Sequence, residues 1–313
     1  MARKKNNKKL INSILTIIIL IILAILSQNE KIQETFTSNL NKSNNEITTK
    51  NSNVITSENG QKTIIIGDES QINSLDNLKV YYIDVGQADS ILIMNQNQSM
   101  LIDAGNNEDG QNVVDFIKAQ GIEKLDYIIG THPHEDHIGG MDDVINQIDV
   151  DKIYLPEIQT NTKTYEDVLD AIQNKNKKIS SLKQGDKIIL GEAEIEVMTE
   201  SILDKSNLNL ASNILRLEFE GTSFLFTGDA ESENEKSINW EPVDVLKVGH
   251  HGSTTSTSQN FLFFLKPKYA IISVGKDNDY GHPNEAILKR LEEIETQIYR
   301  TDEDGTIEII VTK

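Results

Sequence analysis

Ten residues, Thr131–Gly140, read THPHEDHIGG and constrain this chain more than any other stretch. They hold three of its six histidines. His132, His134, Asp136 and His137 crowd into six positions, a clustering that no hydrophobic core requires. Imidazole nitrogen together with carboxylate oxygen suits zinc, manganese or iron rather than calcium or magnesium. If the segment leaves a strand as a loop, His132 and His134 share a face, because side chains two apart do so in extended structure. They can then grip one ion. Asp136 and His137 follow where the chain turns into a helix and are redirected toward a second ion, so the spacing predicts a dinuclear site.

The flanking sequence supplies the strand. Asp126–Gly130 (DYIIG) is a short apolar run ending at the histidine loop. Upstream, Lys79–Asp84 and Ser90–Met94 read as strands around the turn VGQADS, Ser99–Asp103 as a strand ending in AGNN, and Val113–Gln120 as a helix stopped by Gly121. Downstream, a helix over Ile138–Ile148, a strand over Lys152–Leu155 and a helix over Tyr165–Asn174 precede two hairpins, Asp186–Leu190 with Glu194–Met198 and Ile214–Phe219 with Ser223–Thr227. Strands over Val243–Val248 and Tyr269–Val274, helices over Phe261–Leu265 and Glu285–Glu295, and closing strands over Gln297–Arg300 and Thr306–Val311 complete the pattern. An α/β architecture of helices outside two stacked sheets is the simplest packing of such a series.

The N-terminus reads differently. Arg3, Lys4, Lys5, Lys8 and Lys9 form a basic tip, and Leu10–Leu26 is almost continuously apolar. The pattern predicts a signal anchor or signal peptide over residues 1–27; with no Ala-x-Ala-like site following, an uncleaved anchor is favoured. By the positive-inside rule the tip stays in the cytoplasm and the remainder lies outside a cytoplasmic membrane, single-pass, or secreted if the signal is cleaved. Residues 28–77 read as a disordered low-complexity linker rich in Asn, Ser and Thr, and 78–313 as the catalytic domain. The chain has no cysteine, which excludes disulfides and thiolate chemistry. Its net charge of −19, or −24 without the five basic residues of the tip, disfavours broad electrostatic docking on a polyanion.

The other histidines, and one isolated aspartate, each follow an apolar strand. Asp229 follows FLFTG, His250 and His251 follow VLKVG, and His282 follows AIISVG and a short loop. Strand ends that converge on one rim build a site from distant residues. Asp229 also fits the N-cap of a helix over 231–238, and both roles can coexist.

The blocks DVGQADS, THPHEDHIGG, TGDA, LKVGHHGS and YGHP resemble the metallo-β-lactamase fold, and within it the hydrolase domain of ComEC-type DNA-uptake proteins and their free-standing relatives. The resemblance covers about residues 78–313. It implies an αββα sandwich with the metal site on one edge, and His132, His134, Asp136, His137 and Asp229 as ligands of two divalent ions, Zn2+ first and Mn2+ as the alternative, with Asp229 bridging. It places the last metal histidine at His282 or His250, the latter also matching a phosphate-contacting histidine. A further histidine common in the family is missing between His137 and His250. The block NLASN stands there, so Asn209, Ser212, Asn213 or water would fill the position. Asp84 and Asp103 match strand-end positions where a carboxylate can orient a metal-bound histidine or simply shape a turn.

Two ions a few Å apart lower the pKa of a shared water and brace attacking and leaving oxygens. The expected function is therefore a metal-dependent hydrolase of phosphodiesters, with Asp136 and Asp229 positioning the nucleophile, His250 or His251 stabilising the phosphoryl oxygens or protonating the leaving group, and Ser253 and Thr254 offering hydroxyls. DNA is the substrate the resemblance implies, with a separate DNA-uptake partner. The acidic body favours a smaller phosphoester, such as a nucleotide, a choline-phosphate ester or a phospholipid, and a non-catalytic surface binding module is the rival from another class.

Overall fold

The computed structural model describes residues 52–56 and 62–313. The apolar run at 10–26 lies outside them, as does most of the linker. Among the described residues no helix is long and apolar enough to cross a membrane.

Sixteen strands among the described residues form two sheets, in which β1 is Ser52–Thr56, β2 Lys62–Ile66, β3 Leu78–Tyr82, β4 Ile91–Asn95, β5 Gln98–Ile102, β6 Lys124–Ile129, β7 Asp149–Tyr154 and β8 Ile179–Ser180. The second half of the chain gives β9 Lys187–Leu190, β10 Ala193–Val197, β11 Leu215–Phe219, β12 Thr222–Phe226, β13 Val245–Lys247, β14 Tyr269–Ile272, β15 Gln297–Arg300 and β16 Ile307–Val311. The larger sheet runs β1-β2-β16-β3-β4-β5-β6-β7-β8 and the smaller β15-β14-β13-β12-β11-β10-β9. Both are mixed, with β5, β6 and β7 parallel in one and β12, β13, β14 and β15 parallel in the other.

Apolar runs without alternation become strands here because both faces of each sheet are covered. On β4, Ile91 and Ile93 enter the core between the sheets while Leu92 faces the outer helices. On β12, Phe224 and Phe226 face inward and Leu225 outward. Helices α1 (Gly110–Ala119), α2 (Glu135–Ile138), α3 (Met141–Gln147) and α4 (Lys163–Asn174) belong to the larger sheet's side. Val113, Ile117, Val144 and Val168 bury that side's apolar stripe. The smaller sheet is covered by α6 (Gln259–Leu265) and α7 (Glu285–Glu293), with one-turn helices α5 (Ser232–Glu235) and α8 (Thr301–Asp304) at its strand ends. Ser258 and Asn284 cap α6 and α7 by accepting from the Phe261 and Ala286 amides. The layers are thus helix, sheet, sheet, helix, as the strand and helix series predicts.

Two expectations need correction. The ordered domain does not begin at Leu78: β1 and β2 lie inside the span read as linker, and β2 pairs in parallel with the C-terminal β16, burying Ile64, Ile65 and Ile66. A run so short and so far from its partner in sequence carries no local signal of that pairing. The single helix expected over 138–148 is instead α2 and α3, separated by Gly139 and Gly140. A Cβ at Gly139 would stand 2.3 Å from the Asn106 carbonyl carbon, and one at Gly140 would stand 2.4 Å from the Ala104 carbonyl oxygen. The glycine pair lets the histidine loop lie directly against the turn after β5.

Candidate metal centre

The site forms where the loops after β5, β6, β12, β13 and β14 meet on one edge. The loop after β6 brings His132 and His134 to the same side, with His132 Nε2 and His134 Nδ1 facing each other at 3.0 Å. His134 is the N-cap of α2, so Asp136 and His137 sit in that helix's single turn and swing to the other side of the cluster.

The centre of the arrangement is Asp229, 1% exposed, just past β12. Its Oδ1 lies 3.2 Å from His137 Nε2 and 3.7 Å from His251 Nε2, and Asp136 Oδ2 is 3.2 Å from that same His251 nitrogen. Its Oδ2 lies 3.5 Å from His250 Nε2 and 3.9 Å from His132 Nε2. One carboxylate thus faces His137 and His251, with Asp136 beside them, on one oxygen and His132 and His250 on the other, with His134 against His132. In the first group, together with Asp229, a ligand atom of each residue lies within 4.8 Å of the others.

The donors fit divalent cations. His137 Nε2 and Asp229 Oδ1 are buried with no hydrogen-bond partner, an arrangement that is costly unless a cation completes it. The tautomers are fixed from behind. His251 Nδ1 lies 2.9 Å from the Ser273 carbonyl, which can only accept, so the proton sits there and Nε2 faces the site. His137 Nδ1 donates to Asp103 Oδ2 at 2.8 Å, and Asp103 also accepts from the Thr131 amide and hydroxyl. His132 Nδ1 lies 3.2 Å from the Ser212 hydroxyl, which in turn accepts from the Asp229 amide.

Electrostatics follow the same division. Burial opposes charge on His137, yet Asp229, Asp136 and Asp103 together hold it well above the ordinary imidazole range. Burial, reinforced by His137, pushes His132 well below it, and burial likewise lowers His134. Asp229 is held well below the carboxylate range, because His137, His251 and His132 outweigh its burial. Without ions the cluster concentrates a proton on His137, at the place where a cation's charge would fall. Deeper in, Lys247, 0% exposed, pairs with the buried Asp89, whose other oxygen lies 3.7 Å from His251 Nδ1. The ammonium offsets one of the buried carboxylates behind the site.

Several sequence expectations move. His251, expected to handle the leaving group, has both nitrogens committed and stands among the potential ion ligands. His250 occupies the side on which the middle histidine is missing, its Nδ1 3.1 Å from the Thr255 hydroxyl and 3.4 Å from the Asn209 amide. His282 lines the same cavity, its ring meeting that of His250 edge-on at 5.7 Å. Asp84 is exposed and its carboxylate accepts from the Gly86 amide, which is turn chemistry, and Asp89 takes the buried position expected of it. Ser253 shares its hydroxyl with Thr255 and so reaches the site only through the support it gives His250. Asn209 lines the cavity, whereas Asn213 turns away to Thr199 and Ser201. Asp89 and Lys247 were missed, although a lysine inside the apolar run VLKV is a visible sign of a buried partner.

Residues 83–276 match the Metallo-beta-lactamase superfamily. The chain is 34% identical over 252 residues to ComE operon protein 3 of Bacillus subtilis, an alignment covering 74% of this chain and 32% of that protein. It is 29% identical over 231 residues to Competence protein ComA of Neisseria gonorrhoeae, covering 72% and 31%. The chain thus spans about a third of the length of the curated relatives it matches. The crystal structure of the metallo-beta-lactamase fold protein YhfI from Bacillus subtilis superposes with a TM-score of 0.53 at 13% identity, over 74% of this chain and all of that one, which is a likeness of fold.

Proposed function

The chain belongs to the metallo-beta-lactamase superfamily, as a metal-dependent hydrolase related to the ComEC-type competence proteins, and from that footing we propose that it is a phosphodiesterase holding two divalent ions and acting on DNA. The observation that carries this reading is the pair of donor groups on opposite oxygens of Asp229. Asp136, His137 and His251 would hold one ion, and His132, His134 and His250 the other. Asp229 would hold them together. Zinc suits this nitrogen-rich set, with manganese as the alternative.

What such ions supply is activation of water near neutral pH and neutralisation of charge on the leaving oxygen. The chain's own residues set the geometry. Ser273, Asp103 and Ser212 fix His251, His137 and His132, each with its Nε2 toward Asp229. Thr255 and Asn209 hold His250 by its other nitrogen at the cavity side. The cavity, of about 330 Å³, brings Gln87, Glu135 and Tyr280 beside the cluster.

The acidic charge supports a second reading, a smaller phosphoester of the cell envelope, and one experiment decides between them. The full chain, loaded with zinc or manganese, is given labelled single- and double-stranded DNA beside bis-p-nitrophenyl phosphate, with Asp229→Ala as control. DNA cleavage lost in the control supports the nuclease. Turnover of the small diester alone removes DNA. No turnover of either, with metal bound stoichiometrically, leaves a binding module. The basic tip and the apolar run after it support tethering at the outer face of a membrane, with DNA delivered by a separate partner. Protease accessibility in intact cells tests the placement.

A further inference from the structure

The loop between β14 and α7 carries a feature that metal binding does not use. Tyr280 is 74% exposed, and its ring lies on that of His282 with centroids 5.8 Å apart and planes 22° from parallel. His282 meets His250 edge-on, and His250 Nε2 faces Asp229. A file of three rings therefore leads from the bridging carboxylate to solvent. The outermost face of Tyr280 meets no other ring or cation among the described residues.

The loop is held rigidly for an exposed segment. Asn278 donates to the carbonyls of Gly275 and His282 and accepts from the amides of Tyr280 and His282, at 2.6 to 3.2 Å. Gly275 donates to Gln87, which lines the same cavity, and Asn284 donates to Gly252 in the histidine-bearing loop after β13. Four bonds from one amide side chain fix the pose of a ring that buries little of itself. Such an arrangement is pre-organised for a partner rather than for the core.

We propose that Tyr280, supported by His282, is a stacking platform for an unpaired nucleobase next to the scissile phosphate, so that the centre's substrate is a nucleotide-bearing diester. The proposal rests on the phosphodiesterase reading and names its substrate class. An acidic chain cannot track a polyanion by charge, and stacking supplies about 1–3 kcal/mol per base without it. A quaternary ammonium is held by several aromatic faces converging on the cation, whereas this pair offers one flat open face. An acyl chain needs apolar walls, and this cavity is lined by polar and titratable side chains apart from the Tyr280 ring.

The test compares two short single-stranded oligonucleotides, one complete and one with abasic residues flanking a single position. Both binding, by fluorescence anisotropy, and cleavage are measured with the metal-loaded full chain, with Tyr280→Ala and with Tyr280→Phe. The wild type should bind the complete strand about tenfold tighter than the abasic one, Tyr280→Phe should keep that ratio, and Tyr280→Ala should collapse it toward one. A wild-type ratio near one, or an equal loss on both strands in Tyr280→Ala, overturns the platform. A Tyr280-dependent preference for a phosphocholine ester over a simple diester also overturns it. Base-dependent binding without cleavage leaves the platform standing and sinks the phosphodiesterase reading. Cleavage indifferent to Tyr280 does the reverse.

Discussion

His250 and His251 both adopt left-handed backbone conformations, with φ of 50° and 51°, and Asp103 does so at 58°. For non-glycine residues this costs on the order of 1–3 kcal/mol each and persists only where the surroundings impose it. At 250 and 251 the result is two consecutive imidazoles directed to opposite oxygens of Asp229, which neither extended nor helical backbone would give. Replacing His250 by glycine removes ring and strain together, while alanine removes the ring and keeps the strain. In metal-free protein the glycine variant should therefore be the more stable by about 1 kcal/mol, read by urea denaturation, and both should lose about half of the bound metal. A second expectation concerns His137. Its folded-state pKa is raised, so in the metal-free protein its proton stabilises the fold below the unfolded value of about 6.5. That contribution disappears as pH rises through the folded value. An ion must displace that proton, so calorimetric titration of zinc near pH 7, in buffers of differing ionisation enthalpy, should show proton release. His137→Gln should reduce it, leaving the share of His251, whose pKa Asp229, Asp89 and Asp136 also raise against its burial.

At the level of elements, the parallel strands of each sheet deliver ligands at their carboxyl ends, and the motif HIGG lets α2 and α3 close against the turn after β5. These were legible because apolar runs and punctuating glycines are local signals. The pairing of β2 with β16 was not, since strands about 240 residues apart join through the sheet alone. It makes a direct prediction. A chain truncated to begin at Leu78 loses three buried isoleucines and uncovers the edge of β16. At about 1.5–3 kcal/mol per buried side chain the loss is on the order of 5 kcal/mol, so that truncation should unfold at markedly lower urea than one beginning at Ser52. Equal midpoints would show β2 to be dispensable.

Across the whole molecule, net charge sets how the centre meets a polymer. With −19 overall, repulsion of DNA is strongest at low ionic strength and is screened over about 10 Å at 0.1 M salt. For the metal-loaded chain, KM on a long DNA strand should fall as salt rises from about 0.01 to 0.1 M, while KM on a neutral-leaving small diester should barely move. A basic nuclease would show the opposite slope. The sequence alone determined the layered α/β architecture and the His and Asp donor types of the candidate centre, since strand periodicity and a cluster of histidines are written in consecutive residues. Only the tertiary structure decided that His250 and His251 face opposite oxygens of Asp229, that His282 stands beside His250 on the cavity wall, and that Asp89 with Lys247 rather than Asp84 lies buried behind them. Those choices turn on backbone conformations at strand ends and on which loops two sheets bring face to face, and neither is encoded in the spacing of residues along the chain.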